Sequence, residues 1–389
     1  NAALGGYAGF GNTSGYANVY MGHLTGCCNS NGYQNTFLGS QAGRNISASV
    51  NDVVLIGYAA GCVNQCSKSI AIGSNALRGN TTGDCNIAIG YAALYSNTTA
   101  NHNTAVGQGA MNANTEGSQN TALGKAMTKN CCGSDNTGLG YLALDCNVNG
   151  SNNTVVGSQA LNFNTTSNNT AMGYGAAYCS TGCQNTAIGS LALRGTCTSS
   201  GTKNVAVGYT ALCKVTTGAL NVAVGANALK CNTSSCSNTA IGYNSLTVNT
   251  AASNTGVGKD SLEANTSGSN NTAVGADALA ANTTANNNTA VGRLALLSNT
   301  EGIHNIGLGV NALYTNVCGE YNTAVGNCAL YNNCNAVQNT AVGYSALLAN
   351  TSGVCNVAVG AFSLYCNTTS DNNVAVGRTA LRNNTCSLN

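Results

Sequence analysis

A five-residue phrase, Asn-[Thr/Val/Ile]-Ala-[Val/Ile]-Gly, returns about every 17 residues through the whole chain. It is plain at Asn339–Gly343 and again at Asn356–Gly360. Taking the closing glycine as position 0, the anchors run from Gly5, Gly22 and Gly39 to Gly360 and Gly377, 23 in all. They stand 16 to 18 residues apart, except for 19 between Gly189 and Gly208. A unit this short cannot bury a core alone, but a stack of units can. The period predicts one continuous repeat array over 1–389, with variant units inside 1–70 and no separate globular domain.

Each unit carries two short apolar patches separated by Asn, Thr, Ser and Gly, which favour turns. Glycine returns too often for helix. Two strands of three to five residues per unit are therefore expected, each followed by a turn. The absence of Pro agrees, since Pro would remove a ladder hydrogen bond from every rung it entered. The fold class expected is all-β, a parallel β-solenoid or β-roll of about 23 rungs.

The columns carry more detail. Position −1 is aliphatic in every unit, position −2 is mostly Ala or Gly, position −4 is Asn apart from Val53 and Ser69, position +4 is usually Leu, and +7 is usually Asn. In the second to fourth units −2 becomes large (Tyr20, Phe37, Leu55) while +4 becomes Gly (Gly26, Gly43, Gly61). Volume that moves between two columns marks a shared, tightly packed interior. Strand alternation then turns −1 outward. The result is an aliphatic stripe of roughly 110 Å at about 4.8 Å per rung. Soluble monomers do not leave such a patch open. The economical cover is the same stripe on sister chains around a two- or three-fold axis. The interface candidates are Val106, Val156, Val207, Val274, Val291, Val325, Val342, Val359 and Val376. The alternative is that alternation fails at Gly and both columns share one core. The Asn columns read as hydrogen-bonded ladders, with a sugar- or ice-binding surface as the alternative.

Little points to chemistry. Charged residues are 6% of the chain and the net charge is +2, so there is no basic field for nucleic acid or anionic membrane. No apolar run approaches the roughly 20 residues of a membrane helix. Of the three histidines, His102 and His304 share a phase but lie roughly 58 Å apart by the same rise, and His23 stands elsewhere. Acids are scattered; the nearest pair is Asp260 and Glu263. No enzyme, metal site or cofactor is expected.

The 20 cysteines suggest an oxidising, extracellular compartment. Disulfide candidates are Cys62/Cys66 and Cys179/Cys183 at i, i+4, and Cys131/Cys146 and Cys318/Cys334 about one rung apart. Connectivity does not follow from spacing. The sequons headed by Asn80, Asn97, Asn164, Asn265, Asn282, Asn350 and Asn367 are glycosylation candidates. Tyrosine recurs at +1 (Tyr58, Tyr91, Tyr141, Tyr174, Tyr209, Tyr243, Tyr344) and at +5 (Tyr95, Tyr178, Tyr314, Tyr331, Tyr365). Exposed rings could grip glycans; stacked rings shielding the backbone is the preferred reading.

The phrase N-T-A-V-G-Y-x-A-L-x-x-N-T-x-G resembles repeats of tail-fibre-like and surface proteins of bacteria, phages and large viruses. Its N-[TSV]-A-[VI]-G core also resembles the head of trimeric autotransporter adhesins (YadA-like). That resemblance implies a left-handed parallel β-roll assembled as a homotrimer. The rung here is longer than the adhesin-head unit, and the cysteines are foreign to it. The function expected is a structural extracellular fibre, the shaft or adhesive head of a viral or cell-surface fibre, with self as partner and a host-surface glycan or receptor as a possible second. Residue 1 falls at phase −4 and Asn389 at +12. Whole rungs at both ends raise the alternative of a subunit that polymerises end to end. A glycan- or ice-binding solenoid is a further alternative.

Overall fold

The computed structural model describes residues 1–385; Asn389, which closes the last rung in the sequence phase, lies outside them. The chain forms two compact units, Asn1–Ser190 and Leu191–Asn389. The first holds strands β1 (Ala2–Leu4) to β12 (Thr186–Ile188), and the second β13 (Val205–Val207) to β23 (Val374–Val376). Within each unit consecutive strands pair in parallel, always in the same phase. Ile70, Ala71 and Ile72 face Ile87, Ala88 and Ile89 in the first unit; Thr272, Ala273 and Val274 face Thr289, Ala290 and Val291 in the second. No helix forms among the described residues. Each unit is a parallel β-solenoid.

The rung differs from expectation in one respect. Each repeat contributes one three-residue strand, not two. The strand is the triplet −3 to −1, a β-branched or aliphatic residue on each side of a small one, a pattern that suits a pleated surface. The second apolar patch lies in a turn. In the rung of Gly90, Ala92 has φ 52° and Leu94 φ 49°, both left-handed. This conformation costs roughly 1–2 kcal/mol for a non-glycine residue. Its return is a second ladder. The Ala92 amide donates to Ser74 O at 3.0 Å in the preceding rung, and the Leu94 amide to Ala110 O at 3.0 Å in the following one. Leu94 is also fully buried, worth about 1.5–3 kcal/mol. Bonding and burial together outweigh the strain. Gly90 itself, at φ 129°, is stacked so closely that a Cβ would stand 2.5 Å from Gly107 O, which explains why glycine closes each phrase.

The interior is the one read from the columns. Each internal strand buries its middle residue and turns its flanking residues outward. The exchange between −2 and +4 is steric: a Cβ on Gly26 would lie 2.5 Å from Tyr20 Cε1 and 2.9 Å from Phe37 Cδ2, and one on Gly61 would lie 2.5 Å from Leu55 Cδ2. Burial pushes the Tyr20 phenol up, while its oxygen accepts from Asn29 Nδ2 at 2.9 Å.

Two asparagine ladders flank this core, both inside the chain. At −4, the Asn103 amide donates to Asn86 Oδ1 at 3.0 Å, and Asn86 Nδ2 donates to Ala100 O at 2.8 Å, near the far end of its own repeat. At +7, Asn97 Nδ2 donates to Asn80 Oδ1 at 2.7 Å, Asn114 Nδ2 to Asn97 Oδ1 at 3.0 Å, and Asn130 Nδ2 to Asn114 Oδ1 at 2.8 Å. Counting from Gly124 places Cys131 at +7, but Asn130 occupies the ladder. The short rung loses its residue just after Gly124 and keeps the amide in line. The two −4 exceptions keep the thread: the Val53 amide donates to Asn35 Oδ1 at 3.1 Å, and Ser69 Oγ accepts from the Asn86 amide at 3.4 Å.

Candidate functional site

The surface with the most regular chemistry is the outward strand face. Alternation holds, so −1 does not join the core. Ala105 and Ala273 are fully buried, whereas Val106, Val156, Val207, Val274, Val325, Val342 and Val359 are half-buried, and Val291 and Val376 are 39% and 71% exposed. The −3 residue shares this face, usually as Thr. Within each unit the face therefore presents two in-register columns, one of Thr or β-branched aliphatic side chains and one of Val, Ile, Leu or Met.

The tyrosine columns separate. At +5 the rings are engaged: Tyr314 and Tyr331 stack at 4.9 Å, Tyr178 meets Phe163 edge-on at 5.2 Å, and Tyr95 lies under Arg78. Shielding describes this column. At +1 it does not. Tyr58, Tyr91, Tyr141, Tyr174, Tyr209 and Tyr243 are each more than half exposed. None of these six has a ring partner among the described residues, while Tyr344 meets Phe362 edge-on at 5.2 Å. The sequence places both columns; only the structure tells a covered ring from a free one.

The glycosylation candidates all lie inside the wall of the solenoid. Asn80, Asn97, Asn164, Asn265, Asn282, Asn350 and Asn367 are all 0% exposed. The amide nitrogen that would carry a glycan is committed inside: Asn80 Nδ2 to Gly83 O at 2.7 Å, Asn282 Nδ2 to Asn265 Oδ1 at 2.7 Å, Asn164 Nδ2 to Ser180 O at 2.9 Å. The spacing that makes the sequon is the spacing that makes the ladder.

The expected disulfides are also not those formed. Cys62, Cys66, Cys131, Cys146, Cys183, Cys318 and Cys334 are free thiols. Cys179 is disulfide-bonded, but its i+4 neighbour Cys183 is free, and Cys197, which has no such neighbour, is also bonded. Register explains one miss. The deletion after Gly124 sets Cys131 against Val148, whose carbonyl accepts the Cys131 amide, while Cys146 faces Lys129, with Nζ 3.4 Å from Sγ. Cys318 and Cys334 do lie on neighbouring rungs, with the Cys318 amide on Cys334 O at 3.3 Å, but one position out of line. Burial, with the Asp84 carboxylate second, pushes the Cys66 thiol up to about 11.

His102 and His304 occupy the same left-handed turn position, φ 59° and 58°, and His304 stacks on Tyr321 at 5.0 Å. Asp260 pairs with Lys259 at 2.5 Å, and burial and then Asp260 raise the Glu263 carboxyl. Among the described residues no three His, Cys, Asp or Glu side chains gather closely enough to hold a metal ion. Among the described residues no helix is long and apolar enough to cross a membrane. No protein-family model matches the chain, and no curated protein matches it.

Proposed function

We propose that this chain is a rigid structural segment of an extracellular fibre, assembled as a homotrimer around the aliphatic −1 column. The observation that carries the reading is that column: partly exposed, aliphatic in every rung, and held in register by parallel pairing. The interior supports rigidity, since backbone and asparagine ladders both run from rung to rung. Covering the exposed part of one such side chain returns about 1 kcal/mol. The eleven strands of the second unit, β13 to β23, then return about 11 kcal/mol, of the order of the association cost of about 4–15 kcal/mol, so two charges on that unit's stripe tip the balance. The near absence of charge suits a structural role that needs no electrostatic recognition.

The test is a charge on the stripe. Val274→Asp and Val342→Asp leave the buried −2 column untouched. The wild type should sediment as a trimer and the double variant as a folded monomer. A wild-type monomer sinks the reading, and so does a double variant that still assembles.

A further inference from the structure

The +1 tyrosines have a spacing as well as an exposure. Three pairs occur: Tyr58 and Tyr91, Tyr141 and Tyr174, Tyr209 and Tyr243. The two members of each pair lie two rungs apart, with one rung between them that carries a small residue at +1: Ser74, Ser158 or Ala226. Exposure of the six rings runs from 51% to 58%. Each pair therefore presents ring, gap and ring over about 9.6 Å, twice the strand spacing. The intervening rung also places a half-buried amide side chain next in sequence: Asn75, Gln159 or Asn227.

An aromatic face with no partner needs a flat, C–H-rich occupant, and a phenol supplies a polar edge. The two-rung interval is close to the disaccharide repeat of an extended β-1,4-linked glycan, in which alternate sugars show the same face. The chain's 6% of charged residues disfavours an acidic polymer. We propose that the +1 tyrosine pairs are binding subsites for an uncharged, extended β-1,4-linked polysaccharide of the cellulose or chitin type, lying along the rung-stacking direction. This rests on the rigid-shaft reading for its constant interval, and not on the oligomeric contact.

The experiment uses the full chain with microcrystalline cellulose, chitin, cellohexaose and chitohexaose. Isothermal titration calorimetry with the two hexaoses reports binding in the wild type and equally in variants that lack these rings. The wild type should co-sediment with at least one of the two polymers, and maltohexaose, which is α-linked and coiled, should not compete. Replacing all six tyrosines by Ala should weaken hexaose binding by at least about tenfold. The six-fold Tyr→Phe variant should keep binding, because the ring face is retained. Tyr314→Ala with Tyr331→Ala, in the covered column, should bind as the wild type. A melting curve on each variant checks the fold. Wild type that ignores both polymers, undiminished binding by the folded six-fold Ala variant, or equal competition by maltohexaose overturns the proposal. Sedimentation velocity on the same samples reports oligomeric state separately, so loss of the trimer with binding retained would count against the fibre contact and not against the subsites.

Discussion

Asn282→Ala removes one link from the buried +7 ladder. Asn282 Nδ2 donates to Asn265 Oδ1 at 2.7 Å and to Ala285 O at 3.1 Å, and its Oδ1 accepts from Asn299 Nδ2 at 3.0 Å. Two of the three partners have other bonds: Ala285 O also accepts from Asn271 Nδ2, and Asn299 Nδ2 also donates to Gly302 O. Asn265 Oδ1 is left without its donor in a fully buried site. An orphaned buried acceptor costs about 1–3 kcal/mol, and each remaining lost bond about 0.5–1.5 kcal/mol net. The expected destabilisation is about 2–6 kcal/mol. In a stack whose stability is a sum of neighbour terms, the loss should stay local. Native-state hydrogen exchange is the suitable assay: amides of the Asn265, Asn282 and Asn299 rungs should lose protection by that amount, and rungs four or more away should not. Asn282→Asp sharpens the case. A carboxylate there faces the Asn265 acceptor and lacks its own donor, so its folded-state pKa is raised above the unfolded value. The folded state then binds more protons, and stability falls as pH rises through the titration. The Asp variant should be closer to wild type at pH 4 than at pH 7. A change below about 0.5 kcal/mol in the Ala variant would refute the ladder as a stabilising element.

The core exchange predicts that Gly61→Leu alone destabilises by about 1–3 kcal/mol through overpacking against Leu55, and that adding Leu55→Ala recovers most of it; additive losses in denaturant melts would contradict the shared interior. Expression through a glycosylating secretory route should give folded protein whose seven named sequons carry no glycan by peptide mass mapping; glycan on Asn282 or Asn350 in folded material would contradict their burial. Cys66, with its thiol pushed up to about 11, should alkylate with iodoacetamide more slowly than a free thiol such as glutathione at pH 8, and its rate should climb until the pH passes about 11; a plateau near pH 8 would contradict the burial that raises it.

The sequence carried the stacking register because each column is a physical constraint repeated in every rung. Gly90 shows why: a close backbone approach tolerates no side chain, so the residue cannot drift. The Tyr20–Gly26 exchange was legible for the same reason, since two positions that share a volume must trade it. The conformation of the Ala-Leu patch was not legible. Leu94 has no preference for a left-handed φ, and the hydrogen bonds that hold it there come from neighbouring rungs. The sequons misled because Asn-x-Thr names an acceptor pattern but not the side of the wall on which the amide lies. The Cys131/Cys146 pair misled because a single deletion after Gly124 sets Cys131 against Val148. At the tyrosines, the repeat placed the rings, but their freedom depends on what the adjacent rung puts beside them.

The measurement that bears most directly on the central claim is the native mass of the purified chain, by sedimentation equilibrium over a wide concentration range. The proposed homotrimer predicts three copies per particle, with Val274→Asp plus Val342→Asp reducing it to one while the β-sheet signal is unchanged. A single copy at every concentration would mean that the stripe stands open to solvent and that the fibre account is wrong.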